Sequence, residues 1–556
     1  MRLPGGSRAF LGRLALAGGA LLLLTGITYA GWYLLQDYDS LRAGYLAGEP
    51  FYRSTVWDDE FFTPLTKQRG NGWCLLVIAA GLPVLYFIYR RWRRGFGRRP
   101  LILPFGRADL PYLLVQVAVQ AGLWGYAVDR LPLAYDEAFS AVHAAGVGPW
   151  RALSYYMLPN NHLLFNVING ALFGWTGDLV ATGRLLSLLS LLVVGGLQYG
   201  WLRGLLGSRA GAVATVLLVS ATLPVWGFAA QARGYGLLYL FSWMAVVGLW
   251  RYRTGGGAGA LALFSLGCVG GYASVPVFLY VHLALLVWIG LAWLSARSWA
   301  PRFLRWQVAT MVAVLVFHLP ALTYSGDRAF VANRYVSAVP EGLLDFALRF
   351  LPTVPGYLNY ISPEPLNGWP FLLPLVLLAA AARGWLGADQ KASRLATLWI
   401  LLWLAVVFTA VGMRAVPFHR TLPLQASFGL VFLIVSLARQ VGAGTATVTA
   451  LLGTSLLVAR VPAQFNLHLY YYDMAGGYRA ATELLEDLPA GSPASFSDEA
   501  FYPRYLWEQR ESEGAGLWGG APLRYYVTSS GEPLPPEIDS EALHRVGDYL
   551  VFRVAD

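Results

Sequence analysis

Apolar residues follow one another in long blocks along this chain and do not alternate with polar ones. A block of about 20 apolar residues, at 1.5 Å per residue in a helix, crosses a hydrocarbon core of roughly 30 Å. The pattern predicts a polytopic α-helical membrane protein, because only helices and closed barrels satisfy the backbone in lipid and continuous blocks argue against a barrel. We place about 13 spans, at 11–35, 72–90, 110–128, 179–202, 210–229, 234–250, 258–275, 277–296, 305–323, 369–386, 394–412, 421–439 and 446–461.

Composition supports this class. Hydrophobic residues make up 56% of the 556 residues and charged residues only 13%, against about 25% charged in soluble domains. The two cysteines, Cys74 and Cys268, both lie in apolar runs, so we interpret them as packing residues without a disulfide or metal role.

Basic clusters fall on one side of the predicted bundle and therefore predict its orientation. Cytoplasmic segments of membrane proteins carry an excess of Lys and Arg. The clusters are Arg2, Arg8 and Arg13 before the first span, Arg90, Arg91, Arg93, Arg94, Arg98 and Arg99 after the second, Arg251 and Arg253 after the sixth, Arg297, Arg302 and Arg305 after the eighth, and Lys391 and Arg394 after the tenth. The N-terminus is then cytoplasmic and the C-terminus extracytoplasmic, in a plasma or inner membrane.

Net charge differs sharply between the membrane part and the tail. From Pro462 onward the chain has 15 Asp or Glu against 6 Arg, a net of −9, while the whole chain is +10, so the rest carries +19. The excess of basic residues thus reflects the orientation of the protein in the membrane and does not indicate binding to nucleic acid. We divide the chain into two extra N-terminal helices with an outer loop (1–108), a transmembrane catalytic domain (109–461) and a small extracytoplasmic α/β domain (462–556).

The outer segment 129–178 is more than a connector. Ala138–Ala145 and His162–Trp175 carry apolar residues at helical spacing but are short for spans, so we predict helices lying in the membrane interface. The alternative is that 161–176 crosses or re-enters the membrane, which would shift the topology by one crossing.

Asp136–Glu137 is the first candidate for chemistry. The pair directly follows the third span. Acidic residues favour the first turn of a helix, which is a purely structural explanation. The functional hypothesis is a general base with an orienting carboxylate at the membrane surface.

A second polar group is Asn160-Asn161-His162, which opens the next apolar stretch. One Asn is explained as a helix N-cap. Three consecutive polar residues against the membrane also fit the rim of a pocket, so Asn161 and His162 are candidates for positioning an acceptor or sugar.

Two arginine segments are candidates for binding an anion. Arg233, in Gln231–Tyr235, is the only charged residue between Gly211 and Trp250. It is either a turn residue reaching water or a phosphate ligand, since guanidinium binds phosphate bidentately. His419-Arg420 adds positive charge to an outer loop, against the topology rule. His-x-x-x-His and nucleotide-binding motifs are absent from the sequence.

These motifs, in this order, resemble the GT-C superfamily of membrane glycosyltransferases. The similar branch is glycosyltransferase family 39, with protein O-mannosyltransferases and lipid A aminoarabinose transferases. Its Asp-Glu motif, Arg-Leu-x-Ser run and Glu/Gln-Ala-Arg-x-Tyr motif correspond to Asp136–Glu137, Arg184–Ser187 and Gln231–Tyr235. Asn161-His162 lacks the family's following prolines, His419-Arg420 lacks its tyrosine, and residues 1–100 depart from the family.

The resemblance implies sugar transfer from a polyprenyl-phosphate donor to an extracytoplasmic acceptor, a protein, lipid or cell-envelope glycan, with inversion. Asp136 would act as base, Glu137 and His162 would position the acceptor or sugar, and Arg233, Tyr235, His419 and Arg420 would bind the donor phosphate or sugar. The sequence leaves a divalent cation open and names no other cofactor or metal ligand. Membrane lipids are the surrounding partner.

Two other functions compete. A transporter or flippase of a lipid-linked sugar would have polar residues along a midplane pathway and often internal repeats. A scaffold with an outer sensing domain would bind a sugar lipid at most.

Overall fold

The computed structural model describes residues 5–47, 57, 61–94, 105–156, 161–173, 177–295, 300–331, 342–359, 372–387, 389–472, 474–487, 494–496, 500, 502–507, 524–529, 544–547 and 549–554. The α-helices in this part of the chain are α1 Gly5–Leu35, α2 Tyr38–Leu46, α3 Pro64–Arg94, α4 Leu110–Arg130, α5 Tyr135–Ser140, α6 Pro149–Ser154, α7 Leu163–Leu172, α8 Leu179–Leu206, α9 Arg209–Ser220, α10 Leu223–Ala229, α11 Tyr235–Arg253, α12 Ala258–Ser274, α13 Leu279–Ser295, α14 Ala300–Tyr324, α15 Arg328–Val331, α16 Leu343–Phe350, α17 Val354–Asn359, α18 Leu372–Leu386, α19 Gln390–Met413, α20 Pro423–Val441, α21 Ala443–Ala459, α22 Val461–Tyr472 and α23 Met474–Asp487.

The protein is an integral membrane protein with many helical spans. In the described residues, seven helices are long and apolar enough to cross a membrane, or eight if α9 and α10, bent by 70°, form one broken span. The other predicted spans coincide with α4, α11 and the shorter apolar helices α12, α18 and α21. Every predicted span therefore falls on a helix, whereas the number of 13 crossings stays a prediction.

The segment between α4 and α8 is built of short helices. It contains α5, a π-helical turn at Ala141–Ala145, α6 and α7. With ten residues, α7 is about 15 Å long, half of what a span needs. The described helix is therefore too short to cross the membrane by itself, as the prediction of short helices requires, while the position of the segment in the interface and the alternative of a crossing or re-entrant 161–176 stay predictions.

The C-terminal part forms a small α/β unit, as the sequence predicted. Its four strands are β1 Ala494–Phe496, β2 Arg524–Ser529, β3 His544–Val546 and β4 Tyr549–Val554. They form one sheet in the order β1-β2-β4-β3, with β1 parallel to β2 and the other pairs antiparallel. Buried residues of α23 and of this sheet share an apolar cluster with residues of α5 and α8, so the unit packs onto the segment that carries Asp136.

The two N-terminal helices α1 and α3 pack against α14. Residues of these helices share an apolar cluster with a stack of aromatic rings. In this stack, the ring centroid of Trp57 lies 4.4 Å from that of Tyr45 and 5.0 Å from that of Phe62. The Tyr45 hydroxyl also hydrogen-bonds Ser154 at the end of α6. These extra helices therefore support the loop that leads to His162.

Candidate active site at the acidic helix

Glu137 lies in the first turn of α5 and is completely enclosed. Its side chain is 0% exposed and pairs with Arg184 of α8, whose Nη2 lies 2.8 Å from Oε2. The Arg184 Nε donates to Oε1 at 3.0 Å, which makes the pair bidentate. Two backbone N–H groups complete the site: Ala134 donates to Oε2 at 3.0 Å and Ala232 to Oε1 at 2.6 Å.

This set of bonds defines what Glu137 does. The carboxylate joins the start of α5, the helix α8 and the loop before α11. Arg184 extends the network by donating to the carbonyls of Leu131 and Pro132 at 3.2 and 3.1 Å. A carboxylate with four donors and no exposed surface ties these elements together, and its predicted role in positioning the acceptor or sugar stays a prediction.

Asp136, one residue earlier, lies on a different side of α5 because neighbouring helix positions differ by about 100°. Its side chain is 28% exposed. The Arg420 Nη1 donates to Oδ2 at 2.9 Å, and the Arg233 Nη2 lies 3.6 Å from the same oxygen. The acid and the two candidate phosphate ligands are thus in direct contact, although they lie 97 and 284 residues apart.

Arg233 is held rigidly. The residue is only 1% exposed. Its Nη1 donates to the Asp136 carbonyl at 3.0 Å and to the Ser140 hydroxyl at 2.8 Å. The loop around it is fixed by Ser187 of α8, whose hydroxyl donates to the carbonyls of Gln231 and Arg233 at 2.7 and 3.3 Å. The alternative of a turn residue reaching water does not fit this burial.

His162 joins the same group from the start of α7. Its Nδ1 accepts from the Gly234 N–H at 2.7 Å, so a neutral ring carries its proton on Nε2. Nε2 lies 3.4 Å from the Arg233 Nη2. Burial, with the positive charges of Arg233 and Arg420, holds the pKa of His162 well below its usual value. The ring is therefore a neutral polar group beside the two arginines.

Asn161 does not face this group. Its side-chain amide donates to the carbonyls of Ala152, at 2.9 Å, and Tyr155, and its oxygen accepts from Asn166 at 2.8 Å. These bonds tie α6 to α7. In the structure Asn161 orients the backbone that presents His162, and its predicted role in positioning an acceptor or sugar stays a prediction.

Tyr235 and His419 lie at the edges of the cluster. The Tyr235 ring is 4.9 Å from the His162 ring, edge to face, and 5.8 and 6.0 Å from the guanidinium carbons of Arg233 and Arg420. Such distances are within the range of a cation–π contact. The His419 ring instead stacks on Tyr357 at 4.3 Å, and burial lowers its pKa.

Sequence reasoning left two members out of its site residues, Arg184 and Ser140. Arg184 is the only charged residue between Leu179 and Leu202 of α8, and a lone charge in a span is itself a signal of a buried partner. Ser140 carries no such signal, because a serine four residues after an aspartate is common in any helix.

The charges at Asp136 do not suit a divalent cation. Two guanidiniums lie at Oδ2, where a metal would need further anionic or neutral oxygen ligands. In the described residues no group of three or more His, Cys, Asp or Glu side chains lies together. The question of a cation therefore stays open for residues outside that part.

Comparisons with known proteins give structural neighbours only. No protein-family model matches the chain, and no curated protein matches it. Among solved structures it is similar to ArnT from Cupriavidus metallidurans bound to undecaprenyl phosphate, with a TM-score of 0.49 and 16% identity over 80% of this chain and 98% of that chain. It is also similar to the arabinosyltransferase EmbB from Mycobacterium smegmatis, with a TM-score of 0.42 and 15% identity over 82% of this chain and 47% of that chain.

The chain thus spans about half the length of EmbB. Neighbours of this kind are what the resemblance to membrane glycosyltransferases leads one to expect. Because both TM-scores lie below 0.5, we base the functional proposal on the geometry of the site alone.

Proposed function

We propose that this protein is a glycosyltransferase that moves a sugar from a polyprenyl-phosphate donor to an acceptor on the extracytoplasmic face, with inversion. The observation that carries the proposal is the contact of the partly exposed Asp136 with Arg420 and Arg233 beside the neutral His162. One acid and two cations meet at the outer end of the bundle, where an acceptor hydroxyl and a lipid-linked phosphate could react.

The two arginines suit the donor. A polyprenyl tail lies in the bilayer, so its phosphate arrives at the depth of the interface. The Arg420 side chain is 22% exposed while that of Arg233 is 2% exposed, so Arg420 can meet the phosphate first and Arg233 can bind it deeper. Phe418, half exposed, lies 4.9 Å from the Arg420 guanidinium carbon and offers an apolar surface for the first part of the tail.

Asp136 suits the base. When the donor phosphate binds Arg233 and Arg420, it replaces the Asp136 carboxylate as their partner. That carboxylate can then accept the proton of the acceptor hydroxyl. The hydroxyl oxygen then forms a bond to the anomeric carbon while the bond from that carbon to the phosphate oxygen breaks. The polyprenyl phosphate leaves with one more negative charge, which Arg233 and Arg420 stabilise.

The C-terminal unit and the site share one side of the bundle. The hydroxyl of Tyr502 donates to the carbonyl of Leu133, three residues before Asp136. The basic clusters put the C-terminus outside by the positive-inside rule, so the same side is extracytoplasmic in our proposal, with the N-terminus in the cytoplasm. No step of the proposed reaction needs a divalent cation, since the arginines supply the positive charge.

Asp136→Asn tests the proposal. The wild-type protein in lipid nanodiscs is given a panel of polyprenyl-phosphate sugars, and formation of free polyprenyl phosphate is measured with and without acceptor extracts. We expect the variant to lose about 10²–10⁴-fold in kcat, the range for removal of a general base. Asp129→Asn is the matched control, because Asp129 is 73% exposed and pairs with its neighbour Arg130.

Turnover of Asp136→Asn within about threefold of the control would contradict the assigned base. Cysteine accessibility discriminates against the transporter alternative: if Asp136→Cys reacts with a membrane-impermeant reagent from the cytoplasmic side alone, the enzyme model ends. Mass spectrometry of lipids that copurify with the wild type would name the sugar of the donor.

A further inference from the structure

Two tyrosines of the C-terminal unit reach into the network that supports Asp136. Residues 502–507 are helical, and Tyr502 and Tyr505 lie three apart, so they project from the same face. Tyr502 is fully buried and Tyr505 is 5% exposed. Their hydroxyl groups bind two different elements of the membrane part.

Tyr502 binds the segment that leads into α5. Its hydroxyl donates to the Leu133 carbonyl, and its ring meets the Tyr135 ring edge to face at 6.2 Å. The two preceding carbonyls, of Leu131 and Pro132, already accept from Arg184. Three successive carbonyls are thus held by side chains from outside the segment, which fixes where α5 begins.

Tyr505 binds the start of α8. Its hydroxyl donates to the Asp178 Oδ1 at 2.7 Å and accepts from the Val180 N–H at 3.4 Å. Asp178 is the N-cap of α8 and accepts from the N–H groups of Val180 and Ala181. Burial and the bond to Asp178 raise the pKa of Tyr505 well above its usual value, so the hydroxyl keeps its proton at any physiological pH.

The two elements held in this way are the two halves of one ion pair. The segment bound by Tyr502 leads to Glu137, and the helix bound by Tyr505 carries Arg184 six residues further on. One helical turn of the C-terminal unit therefore fixes the distance between the acid's helix and its supporting arginine. A unit that was merely tethered to the membrane part would need neither hydroxyl.

We propose that Tyr502 and Tyr505 are positioning residues, through which the C-terminal unit holds Asp136 in register with Arg233 and Arg420. This inference rests on the proposed function for its catalytic consequence but makes a structural claim that is independent of it. The C-terminal unit is then part of the active site's framework and not a separate module.

The test removes only the hydroxyl groups, in the full-length protein in nanodiscs. Tyr502→Phe and Tyr505→Phe are compared with Tyr525→Phe, a partly buried tyrosine of β2 in the same apolar cluster. We expect kcat to fall about tenfold in each of the first two variants with an unchanged KM for the donor, since a small misplacement of a catalytic group costs turnover. In the double variant, kcat should fall by less than the product of the two single losses, because both tyrosines support the same ion pair.

Hydrogen exchange supplies a readout that does not depend on turnover. In Tyr502→Phe, amides of residues 131–140 should exchange about tenfold faster, while amides of β2 keep their wild-type rates. Exchange and kcat equal to those of Tyr525→Phe would overturn the inference, and so would faster exchange with unchanged kcat. If no donor is turned over by the wild type, the proposed function fails, and the exchange rates alone decide whether the tyrosines position the segment.

Discussion

Two clusters, one at the start of helix α4 and one on α5 just past its end, each hold an aspartate with two arginines, and they differ in what they can do. We call Asp109, Tyr199, Arg203 and Arg209 the closed cluster, and Asp136, His162, Arg233 and Arg420 the open cluster. The 21 residues of α4 span about 31 Å, so the two clusters lie beyond opposite ends of this helix.

The aspartate of the closed cluster is enclosed on all sides. The Asp109 side chain is 1% exposed. Its Oδ1 accepts from the Tyr199 hydroxyl at 2.8 Å and from the Arg209 Nε at 3.1 Å, and its Oδ2 accepts from the Gly106 N–H at 2.7 Å and pairs with Arg203. These bonds join the starts of α4 and α9 to the end of α8, which is a structural task.

The open cluster has the same charges but an accessible aspartate. Both arginines approach one oxygen of Asp136, and the Asp136 side chain is 28% exposed. The lesson is that an acid with two arginines does not by itself make a site. Access and the ability to exchange partners distinguish the two clusters, and both can be tested.

Asp109→Asn should have the largest effect on stability. Removing one partner of a buried ion pair costs about 3–5 kcal/mol, so we expect a fall of that size in the free energy of unfolding measured by detergent titration. The kcat of the folded protein should remain within about twofold of wild type. A large loss of kcat at unchanged stability would show that the closed cluster takes part in function and would break the comparison.

Arg420→Ala should affect turnover more than stability. Loss of one group that stabilises developing negative charge costs about 10²–10³-fold in kcat, measured with the lipid-linked donor, while the partly exposed position of Arg420 predicts a small change in thermal midpoint. Arg130→Ala is the control, since Arg130 pairs with the exposed Asp129. Equal activities of the two variants would remove Arg420 from the site.

Gly234→Ala probes how closely His162 fits. A Cβ at position 234 would lie 2.7 Å from the His162 Nδ1 and 2.9 Å from its Cβ, so the His162 side chain must shift from its present position. We expect about a tenfold loss of kcat, as for other small displacements. In Gly122→Ala the added Cβ meets nothing within 4 Å, and this helical control should keep full activity. Full activity of Gly234→Ala as well would mean that the position of His162 is not critical.

The pH dependence of stability should show the smallest effect. His162 has a pKa below 6.5 in the folded protein, so below that pH the unfolded chain binds a proton that the folded protein excludes. The contribution of the neutral His162 to the free energy of unfolding is therefore complete above pH 6.5. It decreases as the pH falls, by at most about 1.4 kcal/mol per pH unit. Between pH 7.5 and 5.5, the thermal midpoint of His162→Gln should fall less than that of wild type. His419, whose pKa is also lowered by burial, contributes to both proteins, and an equal fall in both would mean that His162 is protonated in the folded state.

The fold was predictable where one property repeats over many residues. Each predicted span coincides with a helix, because long apolar blocks have few alternatives in lipid. The α/β class of the C-terminal part was also predicted, and its helix α23 and four-stranded sheet agree with it. The bend between α9 and α10 was not predicted, although Pro224 lies inside the predicted span 210–229 and a proline within a helix commonly kinks it.

The candidate site was predictable as a set of residues but not as an arrangement. Asp136, Arg233 and Arg420 stand out in the sequence because charges in or beside apolar runs are costly. The sequence treats Asp136 and Glu137 as a pair, whereas the structure gives the partly exposed Asp136 two arginine partners and encloses Glu137 with four N–H donors. Asn161 and His162 differ in the same way: Asn161 bonds α6 to α7, whereas His162 belongs to the open cluster.

By itself, then, the sequence determined a helical membrane protein with an acidic pair and isolated arginines at one end. Tertiary structure alone decided which acid is accessible, which arginine supports it and that two tyrosines of the C-terminal unit hold both. The physical reason is that neighbouring residues of a helix point about 100° apart, while the arginine partners of the two acids come from 47 to 284 residues away. No local pattern encodes contacts at such separations.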